Sequence, residues 1–293
     1  MRSLRTRAAA TRASTPLILC GLLLAFATPS RAAGAPPAQA LTPLRSAFVA
    51  DTGLPDPAAR HPAPMARLAA ERPADGTSEF TMSVLRRAER EAKPLGTMTV
   101  EQATLESGDS RLLRRVIVYD YGARGRVVDT TLEVAKTLAP VSERTYKPSG
   151  FIRLDFTGSR VTGAMGKTAA PETIDDSLPT PAFNSTDLEL VLRSLELREG
   201  LRDSLPIYDP EMGGYRWAAV SVDGFAMVVT SGGVRTAWLI HVRDVQTEHM
   251  YYVDRDTRAL LAVDANAPKR GERYLIERND VTAILTNEAS SAR

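Results

Sequence analysis

From Thr77 onward apolar side chains recur at every second position, and only extended chain places such residues together on one face of a sheet. Phe80, Met82 and Val84 alternate with polar residues, Met98 and Val100 follow, and Leu113–Tyr121 reads LRRVIVYDY. Val127–Val134, Val141–Tyr146, Phe151–Phe156 and Arg160–Met165 continue the series. Gly108-Asp109, Gly122–Gly125 and Pro148–Gly150 supply turns between them. About seven short strands joined this tightly predict an antiparallel meander.

The alternation stops at Gly166–Pro181, which reads as a loop with prolines at 171, 179 and 181. A helix is predicted next, from Asn184 to Leu195. Asn184 or Ser185 can cap it, and Asp187 and Glu189 suit the positive end of its dipole. Leu188, Val191, Leu192 and Leu195 form an apolar stripe that must be buried, and Gly200 ends the segment. Strands resume with Leu205–Tyr208. Tyr215–Val222 and Phe225–Thr230 flank Asp223-Gly224, a strong hairpin signal. Val234–Val245, His249–Val253, Leu260–Val263 and Tyr274–Glu277 complete the series, with Asp254–Thr257 as a turn. The ordered part, 77–278, is expected to be one mainly β domain with a helix near 184–195, followed by a flexible tail over 279–293.

The amino-terminal part has a different character. Arg2, Arg5, Arg7 and Arg12 precede the apolar run Pro16–Ala27, and Ser30 and Ala32 then offer small side chains for cleavage. Residues 1–32 therefore read as a signal peptide, with an apolar stretch shorter than the ~20 residues of a membrane-spanning helix. Periplasmic or secreted localisation follows as an expectation, with no transmembrane segment left after cleavage. Residues 33–76 are an Ala/Pro-rich linker. Cys20, the one cysteine, lies inside the apolar run, so the mature chain can form neither disulfide nor thiolate site. Loss of residues 1–32, with five Arg and no acidic residue, would take the formal net charge from +2 to −3. No basic block remains to displace counterions from phosphates, which argues against nucleic acid as a partner.

Motifs with chemical potential resolve into structural ones. Gly166-Lys167-Thr168 lacks the glycine five positions before Gly166 that a phosphate loop needs, since Val161 stands there. His241 and His249 fall in one predicted hairpin. A two- or four-residue loop around Val245-Gln246 would point them to opposite faces, whereas a three- or five-residue loop could bring them together. Asp254-x-Asp256 lacks the glycine and distant glutamate of a calcium loop and reads as a turn. Asp175-Asp176 reads as a solvated loop pair, and no Gly-x-Ser-x-Gly is present. The reading is therefore of no catalytic residue, no metal site and no cofactor. Trp217, Trp238, Tyr251, Tyr252, Phe225, Met227 and Met250 concentrate in the carboxy-terminal strands, either as core or as the lining of a cavity. Leu188, Leu192, Trp217, Phe225, Trp238 and Tyr252 are the candidate lining residues.

Pro181-Ala182-Phe183-Asn184, the helix Asp187–Leu197, Glu199-Gly200 and Leu205–Asp209 (LPIYD) resemble a family of exported bacterial proteins of unknown function. So do Ala237-Trp238, Tyr251–Asp254 (YYVD) and Thr257–Leu261 (TRALL). The resemblance implies the open half-barrel of the LolA/LolB lipoprotein carriers, a single curved antiparallel sheet wrapping one amphipathic helix. It further implies a lipid or other hydrophobic small molecule held between sheet and helix. A filled core would instead suit a structural or protein-interaction module of the envelope, with other envelope proteins as partners. An enzyme is the third reading.

Overall fold

The alternating first half of the chain folds into eight consecutive strands: Gly76–Arg86 (β1), Lys93–Ser107 (β2), Ser110–Asp120 (β3), Arg126–Val134 (β4), Pro140–Lys147 (β5), Gly150–Thr157 (β6), Arg160–Lys167 (β7) and Ala170–Ser177 (β8). Each pairs antiparallel with the next. These assignments come from a computed structural model that describes residues 68, 74–87, 89–108, 110–244, 247–267 and 271–286. The leader (1–32) and the linker as far as residue 67 lie outside the described residues, as do 287–293 of the tail. Strand β8 corrects the loop expected over 166–181. It buries only Ile174, so no alternation marks it, and as an edge strand it tolerates Pro171.

The second half contributes Phe183–Asn184 (β9), Arg202–Asp209 (β10), Gly214–Thr230 (β11), Gly233–Arg243 (β12), Glu248–Asp254 (β13), Leu260–Ala267 (β14), Glu272–Arg278 (β15) and Val281–Thr286 (β16). Asp223-Gly224 is not a hairpin. It is a bulge within the 17-residue β11, where the register against β12 shifts between Val222 and Gly224. Gly224 has φ +125, a conformation L side chains rarely adopt, and the extra residue exchanges the two faces of the strand. Val222 and Phe225 thus face the main core, whereas Ala226 and Val228 enter a smaller cluster on the other side. Residues 281–286, expected in the tail, pair as β16 with β11 over Ala226–Thr230, beyond the stretch that pairs with β10. Val281 and Ile284 pack on the smaller cluster. VTAILT has no period of two, so its burial was not legible locally.

Between β9 and β10 the chain makes a 3-10 turn, Ser185–Asp187, and then the helix Leu188–Arg193 (α1), shorter than the expected 184–195. Asn184 caps the turn as anticipated, its Oδ1 accepting from the Thr186 amide at 3.1 Å. Leu190, Val191, Leu192 and Leu195 are buried, and Leu195 forms an isolated bridge with Leu68.

All pairings are antiparallel except the two-residue β9–β10 contact. The sheet runs β8-β7-β6-β5-β4-β3-β2-β1-β15-β14-β13-β12-β11-β10-β9, so the halves join through β1 and β15, and β8 does not pair with β9. The sheet is open but curled. Ile152, Leu154, Phe156, Val161 and Ile174 of β6–β8 pack on Tyr208, whereas the adjacent Ile207 packs in the main core under α1. Neighbouring residues of a strand face opposite ways, so β6–β8 cover the outer side of β10. The sheet overlaps itself instead of closing edge to edge. The Tyr208 hydroxyl donates to Asp176 Oδ2 at 2.6 Å across this overlap.

Candidate functional site

Inside the curl, a cavity of about 220 Å³ lies between the sheet and residues 185–189. One wall is apolar: Met98 and Val100 from β2, Ile117 from β3, then Tyr251, Val263 and Ile276 from β13–β15. Leu188 of α1 and Ile207 of β10 face it. The opposite wall is polar and comes from Asp129, Glu143, Thr145 and Lys147 on β4–β5 and from Asp209, Glu211, Arg216 and Asp244.

The polar wall is part of a buried charge network that joins sheet and helix. Arg115, 1% exposed, projects inward from β3 in phase with Leu113 and Ile117. Its Nη1 donates to Asp187 Oδ1 at 3.0 Å and its Nη2 to Glu189. Asp187 also accepts from the Thr131 hydroxyl at 2.9 Å, and Glu189 from Arg193 at 2.6 Å. Burial disfavours charge on Glu189, yet the Arg115 and Arg193 guanidiniums hold its carboxyl below the usual range. Burial likewise opposes the charge on Arg115, and the facing Glu189, Asp187 and Glu133 carboxyls outweigh it. Glu133 is pushed well up by burial and by the charge of the neighbouring Asp187.

Asp129 and Glu143 occupy the same inward face one strand apart. Burial raises Asp129 to about 6, against the opposing pull of its hydrogen bond from Thr145. Burial, helped by the charge on Asp129, raises Glu143 to about 8. Near neutral pH Glu143 is therefore mostly the neutral acid. Its Oε1 accepts from the hydroxyls of Thr145 at 2.9 Å and Thr186 at 3.3 Å, and its Oε2 has no partner.

The two histidines part as the even-length loop requires. Val242 stands opposite His249 and His241 opposite Met250, which sends the imidazoles to opposite faces. His249 reaches the cavity beside the Tyr251 hydroxyl at 3.2 Å, and burial depresses it to about 4. His241 bonds Glu248 at 2.8 Å on the other side. Asp254 is a turn residue, accepting from the amides of Asp256 and Thr257 at 3.0 and 2.8 Å. Asp175 and Asp176 sit in β8; Asp175 pairs with Arg160, while Asp176 meets Tyr208. Among the described residues no group of His, Cys, Asp or Glu is arranged to hold a metal ion.

Of the six residues singled out from the sequence, Leu188 lines the cavity. Leu192 is fully buried in the main core, away from the cavity wall. Phe225 and Trp238 meet at a tilt of 38° with ring centroids 4.4 Å apart, under the Arg255 guanidinium. Trp217 faces away from the wall that Ala218 contributes and packs edge-on against Tyr215, centroids 5.8 Å apart. Tyr252 belongs to the small cluster on the far side, and its neighbour Tyr251 takes the cavity position. Strand parity decides between such neighbours, and parity depends on bulges and register that local sequence leaves open. The charged wall was missed altogether. Its signal was present, since Arg115 falls in phase with Leu113 and Ile117, and Asp129 and Glu133 with Val127.

No helix among the described residues is long and apolar enough to cross a membrane. A search among curated proteins finds no match. Among solved structures, a DUF1329 family protein from Desulfovibrio piger is similar at 11% identity and TM-score 0.29, over 72% of this chain and 86% of that one. A protein of YmcC-like fold from Bacteroides fragilis is similar at 7% identity and TM-score 0.27, over 72% and 97%. Likenesses at these scores carry no functional argument. The expected likeness to the LolA/LolB carriers reduces at this level to an open sheet and an uncharacterised family. The family model for a protein of unknown function, DUF3108, matches residues 81–281, and the chain belongs to that family.

Proposed function

We propose that this chain is an exported, non-enzymatic envelope protein that holds a hydrophobic or amphipathic small molecule, such as a lipid, between its sheet and helix. The observation carrying this reading is the cavity of about 220 Å³, with its continuous apolar wall and the helix segment over it. At ~30 Å³ per molecule that is room for about seven waters, below the ~300–1,000 Å³ of pockets that enclose drug-sized ligands. A short chain, or the end of a longer one, fits that space. Export rests on the leader-like residues 1–32, and the carrier analogy on helix and sheet enclosing a cavity.

Native mass spectrometry of protein purified from its natural envelope tests the reading, with lipid extraction of the same sample. A co-purifying small amphiphile that displaces an environment-sensitive fluorescent fatty acid is the expected result. Protein that carries nothing and leaves the probe unbound would reject it. A second reading, an interaction module, is favoured by one observation: Met227, Val234 and Leu285 are each about half exposed where β11, β12 and β16 run beyond the main core.

A further inference from the structure

Charge is unevenly matched around the cavity on which the proposed function rests. The basic groups in its wall already have carboxylates: Arg115 has Asp187 and Glu189, Lys147 has Glu211, and Arg216 has Asp209 and Asp244. Asp129 and Glu143 form no such ion pair. Hydroxyls of Thr145 and Thr186 are their neighbours, and Lys147, whose charge acts on Asp129, is bonded to Glu211. Glu143 is 3% exposed, yet its Oε2 meets no donor. Asp129 stands opposite Thr145 across β4–β5, so the Glu143 and Asp129 side chains are diagonal neighbours on the inward face.

A buried carboxyl without a counter-charge is costly to ionise, and a pair of them side by side is more so. The ligand chemistry that relieves both is a compact cation with several N–H donors. We propose that the cavity takes a small amphiphile with a primary ammonium head, seated on Asp129 and Glu143, its apolar part against Met98, Val100 and Ile117. An ammonium carries three donors and can satisfy the free Glu143 oxygen together with Asp129. A carboxylate or phosphate head would meet the charge of Asp129 as like charge. An alcohol would use the apolar wall but leave the charge of Asp129 uncompensated. The suppressed ionisation of both acids accords with a seat for a cation.

The proposal deepens the cavity reading, and calorimetric titration separates the two. Octylamine, octanol and octanoate share a chain and differ only in the head, so they are titrated into the purified chain at pH 7.5. Octylamine is expected to bind about tenfold more tightly than octanol, the worth of a charge-assisted hydrogen bond, with octanoate weakest. Asp129→Asn and Glu143→Gln should each remove most of the amine's advantage while leaving octanol unchanged. Octanol binding with octylamine no tighter, or an advantage that survives both substitutions, overturns the ammonium assignment and leaves the cavity reading intact. Failure of all three to bind overturns both. The ranking on the unsubstituted chain decides by itself should a variant not fold.

Discussion

The two halves that meet at β1 and β15 are built from the same meander, but β4 and β5 of the first bury charge where β12 and β13 of the second bury apolar surface. The inward face of β4 carries Val127, Asp129, Thr131 and Glu133, and β5 adds Glu143 and Thr145. The corresponding face of β12 and β13 carries Trp238, Ile240 and Val242 with Tyr251 and Val253. An apolar face needs only an apolar cover, whereas a buried charged face needs particular partners in particular places. Residues 184–193 supply both. Leu190, Val191 and Leu192 go to the main core, while Asp187 and Glu189 neutralise Arg115. The helix segment is thus a polar clamp on β3 and β4 and an apolar wedge in the core that the two halves share. The cavity lies where these two kinds of surface meet.

The sharpest way to break the comparison is to remove a single charge from the polar half. Arg115→Met should cost ~3–5 kcal/mol in urea unfolding, because Asp187 would remain buried without its counter-charge and Glu189 would keep only Arg193. A loss below ~1 kcal/mol would mean that the network does not hold the helix. Within the apolar part, Leu192→Ala should cost ~2–5 kcal/mol, since the side chain is fully buried and leaves a void. Leu188→Ala faces space that already exists, so its cost should fall below that of Leu192→Ala by at least ~1 kcal/mol. Equal losses at 188 and 192 would argue that the cavity is filled by packing.

A pH series sharpens the contrast further. Glu143 rises from 4.5 unfolded to about 8 folded, so the folded state holds its proton more tightly and stability is lost as pH rises through that interval. Asp129 acts in the same direction up to about 6. His249, lowered from 6.5 to about 4, works oppositely but only below pH 6.5. Between pH 6.5 and 8 Glu143 therefore dominates these three groups, and its share of the stability should fall by about 2 kcal/mol at ~1.4 kcal/mol per pH unit, with Glu133 acting in the same direction. Glu143→Gln should flatten that slope. A slope unchanged by the substitution would place the titrating group elsewhere. The smallest effect concerns the overlap of the sheet: Tyr208→Phe removes one hydrogen bond to the exposed Asp176 and should cost about 1 kcal/mol. A neutral result would mean that packing of Phe156 against the ring holds the overlap alone.

Most of the strands were legible because a half-buried strand writes its own period into the chain. Phe80, Met82 and Val84 sit in β1 as read, and β2 to β7 likewise contain the runs that predicted them. The helix stripe was legible for the same reason, although Leu190 lay outside it and is buried all the same. Failures cluster where burial comes from a distant partner. Strand β8 is paired through β7 and shows almost no buried face, and β16 is buried by the uncovered half of β11. Asp223-Gly224 offered two local solutions, turn or bulge. The choice fell to β12, which pairs with β11 on both sides of it.

By itself, then, the chain determined a mainly β domain from Thr77, one amphipathic helix after Phe183 and the opposite facing of two histidines given an even loop. These follow from period, capping and parity, which act over a few residues. Tertiary structure alone decided that Arg115 meets Asp187 and Glu189 from 72 and 74 residues away. It also decided that Tyr251 and not Tyr252 faces the cavity, and that the sheet overlaps itself at Tyr208. Each of these depends on where a curved sheet brings its far ends, and curvature is the accumulated sum of twist and bulges along sixteen strands.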